Sequence, residues 1–210
     1  MIKKNPITNI FSYWFIKRLL DIIFAIILLI GLSPLLLMIS LVILIFDGLP
    51  IFYKCKWHGI KGKRFDGYKF RTMHIFADKQ KEKLEKFNEM GGPVFKITKD
   101  PRITKIGYIL RKFSLDELPQ IYSVLKGDMS FIGPRPPSFN EFPHFQDWHY
   151  RKLSVKPGIS CLWQVSGRNN IDDFDNWVKL DLEYIDNWSL WLDIKIFFKT
   201  IIVVLKGSGK

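Results

Sequence analysis

The sequence predicts an α+β fold: a small membrane-associated domain with a bent N-terminal membrane helix, a short β-hairpin and amphipathic helices. Three observations lead to this prediction. The stretch 22–46 is apolar and uncharged, and ~20 such residues suffice for a membrane segment. Two strand-like runs, 51–53 and 68–71, follow it, separated by a loop rich in Gly and Lys. The segment 189–206 repeats large apolar residues at helical spacing.

The apolar stretch is interrupted by Ser33 and Pro34, and a proline inside a helix bends it. Lysines and arginines flank both ends, so a plain span would place one basic group outside, against the positive-inside tendency. Each half would rise only ~18 Å, less than the ~30 Å of hydrocarbon. We therefore predict a re-entrant helix bent at Ser33 and Pro34. An ordinary single-pass anchor is the alternative, and no cleavage site suggests a signal peptide.

We divide the chain into a membrane-embedded part with a basic lead, residues 1–50, and a second part, residues 51–210. A chain of 210 residues is long enough for one domain with a core. In the second part the patterns predict a charged helix over 76–90, an aromatic helix over 139–153, a strand over 162–165 and a helix from Asp172 to Trp188. Trp188, Trp191 and lysines beside the apolar stripe of 189–206 favour a helix lying in the membrane interface, with a core helix as the alternative.

The composition favours an anionic partner. The formal net charge is +12, which suits a membrane surface, a nucleic acid or a phosphorylated substrate. Cys55 and Cys161 make neither a disulfide framework nor a metal-ligand cluster. His144 and His149 are five apart, a poor spacing for one helix face, so we expect surface or packing roles. Neither a Walker A loop nor a GxGxxG or GxSxG motif is present.

Two adjacent acids, Asp116 and Glu117, stand out in this basic chain. Ser114 lies three residues before Glu117, the spacing of a capping box, so both acids are predicted in the first turn of a helix. Such acids can be a cap and nothing more. With Arg111 and Arg135 close in sequence, however, they suit a metal-assisted phosphate site in which a carboxylate binds Mg²⁺ or attacks phosphorus.

At this point the chain resembles the bacterial sugar transferases that are monotopic polyprenyl-phosphate phosphoglycosyl transferases. Six pieces match in the order of that family and cover most of the chain from about residue 15. They are 69–73 (KFRTM), 100–104 (DPRIT), 110–112 (LRK), 114–120 (SLDELPQ), 125–136 (LKGDMSFIGPRP) and 156–159 (KPGI), which runs on to Arg168 and Asn169. The chain departs from the pattern at Cys55, Trp57 and Cys161; these changes concern the 50s loop and donor specificity and do not touch the acid pair. We expect a minimal catalytic form without the multi-span region of larger relatives.

The resemblance implies an enzyme that moves a sugar 1-phosphate from a UDP-sugar to polyprenyl (undecaprenyl) phosphate, releasing UMP. It implies Asp116 and Glu117 as catalytic residues and as ligands of Mg²⁺, with Asp116 as nucleophile in a ping-pong route. The expected substrate-binding residues are Lys69, Arg111, Arg135, Arg168 and Asp193. It further implies the bacterial inner membrane, with the catalytic part facing the cytoplasm and contacting the cytosolic leaflet, and a role in the first membrane step of surface polysaccharide or glycan assembly.

Two readings compete with this one. The chain could be a membrane-anchored basic module that binds nucleic acid or acidic lipid, but its basic residues are spread out and the acid pair has no use there. We therefore expect no nucleic acid partner. It could also be an inactive family member that acts as a scaffold. The intact acid pair argues against this interpretation. The sequence leaves open the sugar, the pathway and the oligomeric state, a homo-oligomer included.

Overall fold

A computed structural model describes residues 10–167, 171 and 173–207, and it confirms the predicted α+β class. The helices are α1 (Ile10–Gly31), α2 (Ser33–Phe46), α3 (Ala77–Leu84), α4 (Lys105–Lys112), α5 (Ile121–Lys126), α6 (Leu162–Val165), α7 (Phe174–Asp186) and α8 (Leu190–Leu205). The strands are β1 (Phe52–His58), β2 (Arg64–Phe70), β3 (Ser130–Ile132) and β4 (Gly158–Ser160). Short 3₁₀ helices cover Ile60–Gly62, Glu85–Phe87, Leu115–Gln120, Phe142–His144 and Asp147–Ser154.

The first two helices form a bent pair. The Ser33 hydroxyl donates to the Ile30 carbonyl at 2.7 Å, and Pro34 lies in the first turn of α2. The two axes differ in direction by 59°, so the predicted bend at Ser33 and Pro34 is confirmed. Among the described helices none is alone long and apolar enough to cross a membrane, while the bent pair passes that test of length and composition jointly. The re-entrant path and the division at residue 50 stay predictions.

The predicted hairpin is confirmed, with longer strands than the sequence indicated. Strands β1 and β2 are antiparallel and pair from Phe52 with Phe70 to His58 with Arg64. Aromatic and β-favouring residues dominate both strands. Gly67 permits the pairing, because a Cβ there would lie 2.1 Å from the Trp57 ring. The Trp57 ring therefore packs directly over Gly67, where any larger residue would clash with it.

Two predicted elements are wrong. Residues 162–165, predicted as a strand, form helix α6, and the neighbouring strand is β4, which pairs in parallel with β3. A short apolar run does not distinguish strand from helix. In the helix, the Gln164 side chain accepts from the Cys161 N–H at 3.0 Å and so caps its first turn. The segment 139–153 forms 3₁₀ turns rather than one helix; Pro143 lies in the first turn of one of them and lacks the N–H an α-helix would use.

The other helices are close to their predictions. Helix α3 ends at Leu84, earlier than expected, and Asn88 then closes the loop by donating to the Met90 and Val94 carbonyls at 3.2 and 3.0 Å. Helix α7 is capped by Asp173, which accepts from the Asn176 N–H; Asp172 lies outside the described residues.

Helix α8 begins after the capping residue Ser189 and leaves large apolar side chains exposed, Trp191 among them at 63%. The amphipathic helix predicted over 189–206 is thus confirmed. Its position in a membrane interface stays a prediction.

Helix α1 is fastened to the rest of the fold by polar side chains. Arg18 donates to the carbonyls of Val124 and Leu125 at 2.6 and 2.9 Å and so satisfies the C-terminal end of α5. Asp21 accepts from the Ser130 hydroxyl and from the Phe131 N–H, both at 3.1 Å. These contacts place the bent helix pair beside α5 and β3.

Candidate active site

Five of the predicted site residues line one cavity of about 550 Å³. The hairpin contributes Lys69, helix α4 contributes Arg111, the 3₁₀ turn contributes both acids, and the loop after β3 contributes Arg135. These five residues are Lys69, Arg111, Asp116, Glu117 and Arg135. The fold thus brings together residues far apart in sequence, and their chemical roles stay predictions.

The acid pair lies in the first turn of the helix Leu115–Gln120, as predicted, but this helix is 3₁₀ and the predicted capping box is wrong. Among the described residues Ser114 makes no capping hydrogen bond, and it adopts a left-handed conformation with φ of 51°. Pro119 explains the change, because in an α-helix from Leu115 the proline ring would clash with the Leu115 carbonyl four residues earlier. The sharp turn at Ser114 holds Asp116, only 8% exposed, against the cavity.

A lysine stands next to the acids. The Lys69 ammonium donates to the Glu117 carboxylate at 2.8 Å and lies 5.7 Å from the centre of the Trp57 ring. Burial by itself would lower the pKa of Lys69, but the neighbouring carboxylates of Glu117 and Asp116 raise it overall. Lys69 is therefore a cation at neutral pH, suited to a phosphate oxygen near the acid pair.

Two arginines complete the charged wall. Arg111 donates through Nε to the Thr72 hydroxyl at 2.9 Å. Burial lowers the pKa of Arg111 while the Asp116 carboxylate opposes that shift, and a guanidinium stays protonated in either case. The Arg135 guanidinium makes two hydrogen bonds to Glu141, at 2.8 and 2.9 Å, and lies 5.4 Å from the centre of the Trp177 ring.

Sequence reasoning missed several residues of the cavity wall. Glu141 orients Arg135; an acid six residues beyond an arginine is too weak a signal to find it. Trp163 and Trp177 stack at 4.2 Å between ring centres and line the same cavity. Arg102 also lines it, but Asp100 holds this side chain at 2.6 Å, and the matching motif 100–104 had already pointed there.

Of the two remaining predicted site residues, only Asp193 lies in the part of the chain that the structure describes. Asp193 does not line the cavity; its carboxylate binds the Lys17 ammonium at 2.5 Å and accepts from the Tyr184 hydroxyl at 2.7 Å. It therefore joins α1 to α8. Arg168 lies outside the described residues. His149, which the sequence assigned to packing or the surface, is buried and contacts Asp175.

The two thiols that line the cavity are poor nucleophiles. Burial raises the pKa of Cys55 to about 11 and the pKa of Cys161 well above its ordinary value. Both are free and buried. The carboxylates of the acid pair are therefore the better candidates for covalent chemistry in this cavity.

The donor set fits Mg²⁺ in part. Across the described ranges no group of three or more His, Cys, Asp or Glu side chains could hold a metal ion by itself. Mg²⁺ is usually bound by one or two carboxylates together with substrate phosphates. Asp116 and Glu117 supply two carboxylates on the cavity wall, so a diphosphate substrate would complete such a site.

With this geometry in view, the family of the chain can be stated. A sequence profile described as bacterial sugar transferase matches residues 12–207. The match covers nearly the whole chain, so the protein belongs to the bacterial sugar transferase family.

Individual relatives agree. The chain is 53% identical over 163 residues to the galactosyl transferase CpsE of Streptococcus agalactiae serotype III, covering 78% of this chain and 36% of that protein. It is 43% identical over 199 residues to the undecaprenyl-phosphate galactose phosphotransferase of Salmonella typhimurium, covering 93% and 41%. The exopolysaccharide production protein ExoY of Sinorhizobium fredii is 39% identical over 197 residues, covering 92% and 87%. The chain thus spans less than half the length of the first two relatives.

Proposed function

We propose that this protein transfers a sugar 1-phosphate from a UDP-sugar to polyprenyl phosphate, producing a polyprenyl diphosphate-sugar and UMP. The observation that carries the proposal is the Asp116 carboxylate, which lines a cavity together with Lys69, Arg111 and Arg135. Lys69 and Arg111 interact electrostatically with this carboxylate, and Arg135 lines the same cavity. Such a set of cations suits a diphosphate whose phosphorus is attacked by the carboxylate. The names of the relatives point to the same chemistry, because one is an undecaprenyl-phosphate galactose phosphotransferase.

In the first step an Asp116 oxygen attacks the β-phosphorus of the UDP-sugar. The bond from that phosphorus to the oxygen bridging the two phosphates breaks, UMP leaves with the electron pair, and the sugar phosphate stays on Asp116 as an acyl phosphate. Lys69 and Arg111 are placed to bind the phosphate oxygens on which charge grows. Asp116 is only 8% exposed, so substrate groups that fill the cavity would exclude water from this intermediate.

In the second step a phosphate oxygen of the lipid acceptor attacks the same phosphorus. The acyl phosphate bond breaks, the Asp116 carboxylate is restored, and the new diphosphate links sugar and lipid. Glu117 lies next to Asp116 and binds Lys69. It is placed to take the proton of a singly protonated acceptor phosphate, or to share in metal binding.

Mg²⁺, when bound by Asp116 and Glu117, would neutralise diphosphate charge and polarise the phosphorus. The residues of the chain do the rest. Lys69 and Arg111 hold the phosphates, and Glu141 fixes the direction of Arg135 through two hydrogen bonds. Orientation of the reacting groups by such fixed side chains contributes to the rate in its own right.

The proposal places the enzyme at the inner membrane, on the cytosolic leaflet. The bent pair α1 and α2 supports insertion from one side, and the exposed apolar face of α8 supports contact with the membrane interface. A lipid acceptor requires such a position. The pathway we propose is the first membrane step of surface polysaccharide or glycan assembly, in keeping with the name of the relative from Sinorhizobium fredii.

The experiment measures UMP release by the protein extracted together with its membrane. Mg²⁺, polyprenyl phosphate and one UDP-sugar at a time are added to the protein. UDP-galactose comes first, because the names of two relatives specify galactosyl or galactose transfer. We expect multiple-turnover release of UMP only when both the acceptor and the metal are present. The rate of UMP release should fall by about 10⁴-fold or more in Asp116→Asn. Asp186→Asn removes a surface carboxylate that pairs with Arg151 and serves as the matched control.

Intact-protein mass spectrometry without acceptor tests the covalent route. A hexose phosphate adduct should form on the wild-type chain and on Asp186→Asn, and its absence on Asp116→Asn identifies the nucleophile. If Asp116→Asn still turns over, the proposed reaction stands, but Asp116 is excluded as its nucleophile. If folded protein releases no UMP from any UDP-sugar, the enzyme proposal is wrong and a scaffold role takes its place.

A further inference from the structure

The cavity opens at one end of the hairpin and is closed at the other. Residues 53, 55 and 57 of β1 share one face, because side chains alternate along a strand, and all three line the cavity. Their exposure falls from 47% at Tyr53 to 9% at Cys55 and 8% at Trp57. The Trp57 end is covered by the loop after β3, since the His58 N–H donates to the Pro137 carbonyl at 3.0 Å. A ligand therefore enters beside Tyr53.

The open end is the one nearest to α2. Arg71, which follows β2, donates to the Asp47, Gly48 and Pro50 carbonyls at 2.8, 2.5 and 2.6 Å. These bonds fix the end of the bent helix pair against the cavity wall, and Pro50 itself lines the cavity. The mouth is thus held at a constant position relative to the segment that we propose to lie in the membrane.

The mouth exposes apolar side chains beside polar groups: the Tyr53 hydroxyl bonds to Asp78, and the Lys79 ammonium lies 5.3 Å from the centre of the Phe76 ring. Ile75 lines the cavity and is 60% exposed, and Phe76 beside it is 65% exposed. At the end of α2, Phe46 is 71% and Leu49 is 67% exposed. Exposed apolar side chains at the mouth of a cavity are candidates for a binding surface. The side chains of Tyr53, Ile75 and Phe76 are here called the apolar rim.

The positive charge of Lys69, next to the apolar rim, indicates which class of ligand binds there. Tyr53 pairs directly with Lys69 across the hairpin, so both side chains lie on the same face of the sheet. The Lys69 ammonium in turn binds Glu117 next to the nucleophile. A ligand with an anionic head at Lys69 and an apolar chain over the rim satisfies both features. A UDP-sugar has no apolar chain, whereas a lipid phosphate has one.

We infer that Tyr53, Ile75 and Phe76 bind the isoprenoid units next to the phosphate of the lipid acceptor, with Lys69 receiving that phosphate. This inference rests on the proposed function for its choice of ligand. The donor nucleotide would then occupy the closed end, and the acceptor would reach Asp116 from the membrane side.

Steady-state kinetics with Ile75→Ser and Phe76→Ser test the rim. Loss of an apolar contact should lower kcat/KM for polyprenyl phosphate by about 10- to 100-fold, while kcat/KM for the UDP-sugar stays unchanged, because the two substrates react in separate half-reactions. Ile75→Leu should restore acceptor use. Phe87→Ser is the matched control, because Phe87 is 55% exposed and is not part of the cavity wall. Equal loss for both substrates, or no loss for either, overturns the inference.

A second measurement is independent of turnover. A photoreactive isoprenyl phosphate, with its reactive group close to the phosphate, is added to the wild-type chain in vesicles, and labelled peptides are identified by mass spectrometry. Label on the peptides containing Tyr53 or Ile75 and Phe76, competed by polyprenyl phosphate, supports the rim. Label confined to α1 or α8 overturns it. Absent UMP release would refute the proposed function alone, because the labelling result still decides the lipid phosphate site.

Discussion

Two lysine–carboxylate pairs in this protein look alike in chemistry and differ in surroundings. Lys69 and Glu117 meet at 2.8 Å, with side chains 26% and 17% exposed, on the wall of the cavity. Lys17 and Asp193 meet at 2.5 Å, with side chains 9% and 12% exposed, between α1 and α8. Both acids were predicted as site residues from their sequence match.

The surroundings decide which pair can bind a substrate. The Asp193 carboxylate accepts from Lys17, from the Tyr184 hydroxyl and from the Trp188 indole N–H. Its oxygens are occupied by groups of the fold, which is the pattern of a structural ion pair. Glu117 instead faces a cavity that is also lined by Asp116, Arg111 and Arg135. Exposure of a carboxylate to a cavity, rather than its charge, distinguishes the two pairs.

The largest effect on this comparison is expected from Glu117→Gln. Removing a group that accepts a proton or shares in metal binding should lower kcat by about 10²-fold or more. The melting temperature should fall less than in Asp193→Asn, because this pair is less buried and Lys69 keeps the neighbouring Asp116 carboxylate. UMP release and thermal unfolding in detergent measure the two quantities.

Lys54→Met is the control for that variant. Lys54 pairs with Asp66 at 2.8 Å on the outer side of the same hairpin, with both side chains about half exposed. It should change neither activity nor melting temperature. A large drop in the melting temperature of Glu117→Gln, with activity kept, would make the Lys69–Glu117 pair structural like the other.

Asp193→Asn should do the opposite. It leaves the buried Lys17 without its carboxylate, which costs about 3–5 kcal/mol and lowers the melting temperature by about 10 °C. Activity per folded molecule should persist at low temperature. The double variant Lys17→Met with Asp193→Leu should recover much of the lost stability, because no charge is then stranded. If Asp193→Asn is as stable as the wild type but releases no UMP, Asp193 is a residue of the active site after all.

A third pair adds a pH test. Burial would raise the pKa of Glu141, but Arg135 outweighs it and the pKa lies below the ordinary 4.5. Because the folded pKa is depressed, the stabilisation is complete above pH 4.5 and is lost as the pH falls through the folded value. Glu141→Gln should cost about 2 kcal/mol at neutral pH and flatten the acid limb of melting temperature against pH. Parallel acid limbs in both proteins would refute this linkage.

The smallest effect concerns Cys55. With its pKa raised from 9.0 to about 11 by burial, its thiolate fraction near pH 8 is about 100-fold below that of an ordinary thiol. Iodoacetamide should therefore label Cys55 slowly at that pH and faster as the pH approaches 11, as followed by mass spectrometry. Rapid labelling at neutral pH would show a thiolate in the cavity and reopen the choice of nucleophile.

Features that depend on a few neighbouring residues were predictable. The bend needs only Ser33 and Pro34, the hairpin needs two β-favouring runs with a Gly-containing loop between them, and α8 needs its apolar repeat. The adjacency of Asp116 and Glu117 in a first helical turn was likewise visible, although Pro119 made that turn 3₁₀.

What depends on partners distant in the chain was decided by the tertiary structure. Residues 162–165 became a helix because packing, not their short apolar pattern, determined the outcome, and β4 found a parallel partner in β3. Glu141 entered the site because the chain folds back onto Arg135, and Asp193 left it because α1 brings Lys17 against α8. Charge and periodicity are properties of the sequence. The cavity a carboxylate faces, and the cation it meets, exist only once distant segments have packed.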